Sequence, residues 1–206
     1  IDLGDGIQWE SHPEIAVEGA WTTRRLCDEL ARIRSLGMTP VPKLNFSTCH
    51  DHWLHEYSRC VSTPRYYNAC RDLIQETCEL FAGPALFHLG MDEENAELQK
   101  HYAYVVVRQH ELFWEDLRFF CGEVEKHGAR PWMWADAVWS KPEEFCRQVP
   151  TTVLQSNWYY GRQLSPDEPA VQAYHKLAEG GYDQVPCGSN FGNEENFEAT
   201  VAYCHD

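Results

Sequence analysis

The sequence predicts an α/β fold in which parallel strands alternate with helices. Three observations predict it. Short apolar runs alternate with segments whose apolar residues recur at helical spacing. Alternation of that kind gives parallel strands joined by right-handed crossovers. Each run also ends in polar or aromatic residues, and in such folds chemistry collects at the carboxyl ends of the strands. No G-x-G-x-x-G and no Walker loop is present, which removes the commonest sign of a nucleotide-binding sheet. A doubly wound sheet and part of a (β/α)₈ barrel both satisfy the pattern. A full barrel needs about 250 residues and this chain has 206. On the barrel reading it is therefore one incomplete domain spanning residues 1–206, short of a few βα units.

Residues 1–20 read as a loop-rich segment, with Gly4, Gly6, Pro13 and Gly19 and no helical stripe; Gly6 to Trp9 fits the tail of a strand. Thr22 to Leu36 reads as a helix, because Leu26, Leu30 and Ile33 share a face, a threonine caps it and Gly37 ends it. Thr39 to Phe46 is expected as a strand, although Pro40 and Pro42 each lack a ladder donor. Thr63-Pro64 is an N-cap with proline at the first helical position, opening a helix to Phe81. Gly83-Pro84 breaks it, and Ala85 to Met91 is the next strand. A long helix is expected from about His101 to His127, stopped by Gly128. Then come a strand over Arg130 to Ala137, a helix over Pro142 to Arg147, a strand over Thr151 to Tyr159 and a helix over Pro169 to Leu177. A short strand over Asp183 to Gly188 and a helix over Asn193 to Tyr203 close the chain.

Hydrophobic residues make up 43%, enough for one sizeable core. The formal net charge is −15, which repels nucleic acid and anionic membranes and excludes both as main partners; neutral and cationic ligands stay open. No apolar run approaches the length of a membrane span. Nine cysteines are dispersed without a C-x-x-C pair, so most are expected to be free, buried thiols. That favours a reducing compartment such as the cytoplasm. Secretion stays open, because the first residue is Ile1 and a signal could have been removed; the chain is expected to be processed, trimmed or a fragment.

The stretch Phe87 to Asn95 carries the most chemistry. An apolar run ends in a small residue and delivers Asp92 and Glu93 together. As a strand end this places two carboxyl groups in a cleft. As a helix start it makes Asp92 an N-cap with Glu93 and Glu94 in the first turn. Two close carboxylates do not both ionise easily, so one is expected to hold its proton at higher pH. The other strand ends bring Asn45 with His50, Trp134 with Asp136, Trp158 with Tyr159, and Asn190. Aromatic faces beside amides and carboxylates suit a carbohydrate pocket. Ordinary retaining glycosidases set two carboxyl groups about 5 Å apart across the scissile bond. Sequence neighbours leaving one strand suit a substrate that brings its own nucleophile.

His88-Leu89-Gly90-Met91-Asp92-Glu93 resembles the His-x-Gly-Gly-Asp-Glu signature of family 20 glycoside hydrolases, the β-N-acetylhexosaminidases. Pro42-Lys43-Leu44-Asn45 with His50 resembles the family's third-strand segment. Trp132 to Asp136, Thr152 to Trp158 and Ala178 to Asp183 resemble its fifth strand, its sixth and the lead into its seventh, in order. The resemblance implies an incomplete (β/α)₈ TIM barrel with about strands 3 to 7 present, the remaining strands lying in a longer parent chain or a partner. It implies a glycosidase that removes terminal N-acetyl-β-hexosamine by a retaining, substrate-assisted mechanism with no cofactor and no metal. Glu93 would be the general acid, and Asp92 would orient the 2-acetamido group. His50, Asn45, Trp134, Asp136, Trp158 and Asn190 would line the sugar site.

This sequence departs from that pattern in several places. Met91 replaces the second glycine, Lys43 an acid and Asn45 an aspartate, and Cys49 stands where a glycine is expected. Asn190 is the nearest counterpart of a tyrosine that bonds the acetamido oxygen, and a first-strand arginine has no counterpart. Two other readings compete. One is a non-catalytic sugar-binding relative or fragment. The other is a metal-dependent, amidohydrolase-like barrel using Cys49, His50, Asp51, His52 and His55.

Overall fold

Lys43 sits between two parallel neighbours, bridging Asp2 on one side and His88 on the other. That residue shows how the first half of the chain is laid out. The computed structural model describes residues 1–48 and 50–205, and the chain divides into two compact units, Ile1–Pro131 and Trp132 onward.

The first unit contains β1 (Ile7–Gln8), β2 (Trp21–Thr22), α1 (Thr23–Ser35), α2 (His50–Trp53), α3 (Pro64–Leu80), β3 (Leu86–His88) and α4 (Glu111–Lys126). β1 and β2 pair in parallel, Ile7 opposite Trp21. The caps read from the sequence hold. Thr22 accepts a hydrogen bond from Arg25 N, and Thr63 accepts one from Tyr66 N behind Pro64. Each such cap stabilises its helix by about 1 kcal/mol. The buried faces contribute more. α3 buries Tyr66, Ala69, Cys70, Leu73, Ile74, Thr77 and Cys78, and α4 buries Phe113, Trp114, Leu117, Phe120, Cys121 and Val124. At about 1.5–3 kcal/mol for each fully buried large side chain, packing decides where these helices lie.

The segment expected as a strand over 39–46 makes parallel contacts without forming a regular ladder. His88 N donates to Pro42 O at 2.9 Å, Leu44 N to His88 O at 3.1 Å and Phe46 N to Leu89 O at 3.0 Å. Pro40 and Pro42 have no N–H to give, so the run does not extend toward its start. The long helix expected from His101 begins only at Glu111. His110 before it has φ +54°, and the side chain of buried Gln99 brackets Val106, donating to its O at 2.8 Å and accepting from its N at 2.9 Å. The apolar run 105–107 is thus loop held by a side chain, not a helical stripe.

β4 (Arg130–Trp134) starts in the first unit, where Arg130 N donates to Ala85 O at 2.9 Å. The second unit carries the rest of it, followed by α5 (Ala137–Ser140), α6 (Pro142–Gln148), β5 (Leu154–Ser156), α7 (Pro169–Glu179) and α8 (Asn196–His205). β4 and β5 are parallel, with Trp132 opposite Leu154 and Trp134 opposite Ser156. The expected strand over 183–188 is reduced to two parallel bridges, Gln184 to Gln155 and Cys187 to Trp158. Val185 N donates to Gln155 O at 2.8 Å and Cys187 N to Asn157 O at 2.9 Å, so Pro186 between them turns the side that lacks an N–H away from β5.

The eight described cysteines are free. Only Cys70, Cys78 and Cys121 are buried, fewer than the sequence suggested, while Cys27, Cys146 and Cys204 are exposed on helix surfaces. Cys49 lies outside the described residues.

Candidate active site

β3 is three residues long, and its end is held by its own histidine. His88 Nδ1 accepts a hydrogen bond from Gly90 N at 3.0 Å, so the ring's proton sits on Nε2. Burial, with the charges of Lys43 and the N-terminus nearby, pushes the His88 imidazole down to about 3. It is neutral across ordinary pH and serves as an acceptor for the turn.

The turn itself is strained. Gly90, Met91 and Glu93 have φ of +71°, +70° and +54°. For residues other than glycine the left-handed region costs about 1–2 kcal/mol. Met91 tolerates it because its side chain is 1% exposed and packs into the core. Gly90 has a further reason to be glycine. A Cβ there would lie 2.3 Å from Asn45 Oδ1 and 2.8 Å from Asn45 Cα.

That close approach brings Asn45 onto Asp92. Asn45 Nδ2 donates to Asp92 Oδ1 at 2.7 Å, and its Oδ1 accepts from Ser47 N at 3.0 Å. Trp53 of α2 fixes the backbone by donating its indole N–H to Asn45 O at 2.7 Å. Asn45 is 5% exposed, so its main contact is the carboxylate. Burial raises the Asp92 pKa, and the hydrogen bond from Asn45 opposes that and favours the charged form. Burial also raises Glu93, and the adjacent Asp92 charge raises it further. No helix starts at Asp92: residues 92–95 are irregular, and the next helix is α4. The N-cap reading is therefore set aside.

A third acid, Glu94, anchors this loop, and its role was not read from the sequence. Its carboxylate accepts from Arg108 Nε at 2.9 Å and lies 2.9 Å from Ser47 Oγ, which also lies 2.9 Å from Asp92 O. Arg108 reaches Asp116 Oδ2 at 2.9 Å with its other arm, and Asp116 accepts from Ser62 Oγ at 2.7 Å and from Tyr67 OH. Arg108 and Asp116 are buried, at 6% and 0% exposure. Breaking such a buried network costs about 3–5 kcal/mol, so it fixes the loop that carries the acids. The only sequence signal was a third acid following the pair.

His50 is not at the surface. It is 1% exposed, with Nε2 2.6 Å from Tyr66 OH. Burial and the Arg108 charge hold it neutral. The direct sugar contact read for His50 is corrected to a buried place behind the site, because no face of the ring is open. The histidines of the metal reading point elsewhere as well. His55 Nε2 lies 3.0 Å from Ile15 O, and the His52 ring packs edge-on against Tyr102 at 4.6 Å. Among the described residues no three His, Cys, Asp or Glu side chains form a metal-sized cluster; Cys49 and the Asp51 side chain of that reading lie outside what the structure describes.

In the second unit the expected aromatics do meet. The Trp134 and Trp158 rings lie 5.4 Å apart, edge to face, and Trp139 adds a third ring 4.8 Å from Trp158. All three are half-buried. Trp139 Nε1 donates to Asn157 Oδ1 at 2.8 Å, which fixes the cluster on the end of β5. Trp139 was missed because it sits on α5, beyond the strand end. Asp136 is half-buried at the start of α5, and Asn190 is exposed on the segment after the Cys187 bridge.

No protein-family model matches the sequence, and no curated protein sequence does. Solved structures do match. A chitobiase from Flavobacterium johnsoniae superposes with a TM-score of 0.67 at 20% identity over 89% of this chain and 32% of its own. An exo-β-N-acetylglucosaminidase of glycoside hydrolase family 20 from Vibrio harveyi, in complex with N-acetylglucosamine, gives 0.60 at 18% identity over 90% of this chain and 35% of its own. A further family 20 β-N-acetylglucosaminidase gives 0.59 at 14% identity, over 90% and 44%. The chain therefore has the fold of part of a family 20 glycoside hydrolase, and spans about a third to under half the length of these relatives.

Proposed function

We propose that the chain is the catalytic portion of a retaining glycosidase that removes terminal N-acetyl-β-hexosamine, built on about strands 3 to 7 of an incomplete (β/α)₈ barrel. The remaining strands then belong to a longer parent chain or a partner. One observation carries the reading. Asp92 and Glu93 leave β3 together through a strained turn, with Asn45 donating to Asp92. Strain of that kind collects at functional sites.

In this mechanism the substrate's acetamido oxygen attacks its own anomeric carbon. The glycosidic C–O bond breaks, and Glu93 gives its proton to the departing oxygen. The raised pKa of Glu93 keeps that proton available. Asp92, held by Asn45, orients the acetamido N–H and offsets the positive charge of the oxazolinium ion. Water then opens that ion, with the Glu93 carboxylate taking the water's proton. Within the second unit, the paired rings of Trp134 and Trp158 are suited to stack on a sugar, with Asp136 and Asn190 as candidate polar contacts; within the first, Asn45 holds Asp92 and His50 stays buried on Tyr66.

Glu93→Gln tests the assignment of the acid. It should lose far more activity on substrates with poor leaving groups than on aryl glycosides whose leaving group needs no proton. Equal losses on both would remove Glu93 from that role.

A further inference from the structure

The segment between the acid loop and α4 presents an unpaired strand edge. One side chain takes both backbone polar groups of Val106: buried Gln99 donates to its O at 2.8 Å and accepts from its N at 2.9 Å. Two residues make that exchange across an antiparallel ladder, and here the Gln99 amide stands in for a neighbouring strand. Arg108 N turns the same way and donates to Glu94. In an extended chain the N–H and C=O of one residue share an edge, and those of the next residue take the opposite edge. Val105 and Val107 therefore present theirs away from Gln99 and Glu94. Among the described residues no hydrogen bond is made by a backbone group of either. Burial alternates in the same sense, with Val106 8% exposed and Val105 and Val107 42% and 38% exposed. The chain has no turn or bend over 105–109.

The edge borders a groove of about 240 Å³ whose lining includes Val61, Tyr104, Val105, Val107, Leu112 and Arg59. Arg59 is exposed, with its guanidinium 6.0 Å from the centre of the Tyr104 ring. Among the described residues it makes no ion pair, on a chain whose formal net charge is −15. These features specify one occupant. Outward N–H and C=O groups two residues apart call for an extended backbone. Valine walls call for apolar side chains at alternate positions, and an unmatched guanidinium calls for a carboxylate. The edge is already held straight from behind, which lowers the ordering cost of binding.

We propose that residues 105–107 dock an extended, acidic segment of a partner protein as an added β-strand. Its apolar side chains lie over Val105, Val107 and Leu112, and a carboxylate meets Arg59. A second copy of the chain fits less well, because it brings a net charge of −15 to the edge. A short segment brings one or two carboxylates, close enough to Arg59 to escape screening by salt. The proposal uses neither Asp92 nor Glu93, so it stands or falls apart from the glycosidase reading.

Fluorescence anisotropy of the full chain with labelled acetyl-Thr-Glu-Thr-Val-Thr-Val-Thr-Glu-Thr-amide tests this. Its carboxylates flank the valines on one face, so either strand direction brings one to Arg59. It should bind with a Kd below about 1 mM. The peptide with lysine for glutamate should bind at least about fivefold more weakly, and Arg59→Glu should reverse that order. Methylating the amide nitrogens of alternate peptide residues should weaken binding about tenfold for one set and less than about twofold for the other, because only one set faces the edge. Val107→Pro removes an outward N–H from backbone that is already extended and should weaken binding about three- to tenfold. Circular dichroism checks its folding, and Arg59→Glu, at the exposed surface, carries the test by itself if the proline variant fails to fold. No binding at about 1 mM, equal losses from both methylated sets, or no preference for the glutamate peptide would overturn the proposal. So would a dimer in sedimentation that Val107→Pro dissolves, which would give the edge to a second copy.

Discussion

Asn45 donates its amide hydrogen to Asp92 Oδ1 at 2.7 Å, across 47 residues of sequence. The contact exists because Gly90 has no side chain where Asn45 crosses it. An amide at this position gives a donor where an acid would give a second charge. It favours the charged form of Asp92 against the pull of burial.

Asn45→Ala should therefore raise the Asp92 pKa further. A buried acceptor left without its donor costs about 1–3 kcal/mol. If the charged form is the working one, kcat falls about 10- to 100-fold. The acidic limb of the pH–rate profile moves to higher pH. An unmoved limb with full activity would show that Asp92 does not depend on Asn45.

Arg108 is the positive centre of the buried network beneath the acid loop. Arg108→Met leaves Glu94 and Asp116 buried without a counter-charge, and should cost about 3–5 kcal/mol in urea unfolding. Adding Glu94→Gln should restore part of that, because the two sites are in contact and their effects do not add. A loss under about 1 kcal/mol would contradict the role given to the network.

His88 gives the stability a pH dependence of known sign. Its folded pKa is about 3, against about 6.5 when unfolded. Between those values the unfolded chain binds a proton that the folded chain does not, so stability falls as pH falls, by up to about 1.4 kcal/mol per pH unit. His50 acts in the same direction, and the raised Asp92 and Glu93 act in the opposite one. His88→Asn should shrink the stability difference between pH 7 and pH 5 measured by urea unfolding. An unchanged difference would show that His88 titrates alike in both states.

Much of the fold was legible because helices advertise themselves locally. Thr22, Pro64 and the apolar stripes of α1 and α3 are short-range signals, and those helices fall where the pattern puts them. The region 101–110 was misread because three consecutive valines fit any face of a helix. What excludes a helix there is tertiary: the Gln99 bracket and the pull of Glu94 on Arg108. The acid pair was visible as a motif. The contacts that hold it were not, since Asn45, Ser47 and Arg108 come from distant segments. Met91 shows the same limit. The sequence marks it as a departure from the signature it resembles, and only the backbone shows that it takes a left-handed conformation.

Hydrolysis of an aryl N-acetyl-β-glucosaminide compared with the plain aryl β-glucoside tests the central claim most directly. A substrate-assisted mechanism needs the acetamido oxygen as nucleophile, so only the acetamido substrate should turn over, and Asp92→Asn should abolish that turnover. Equal rates on the two glycosides, or turnover of the plain glucoside alone, would contradict it.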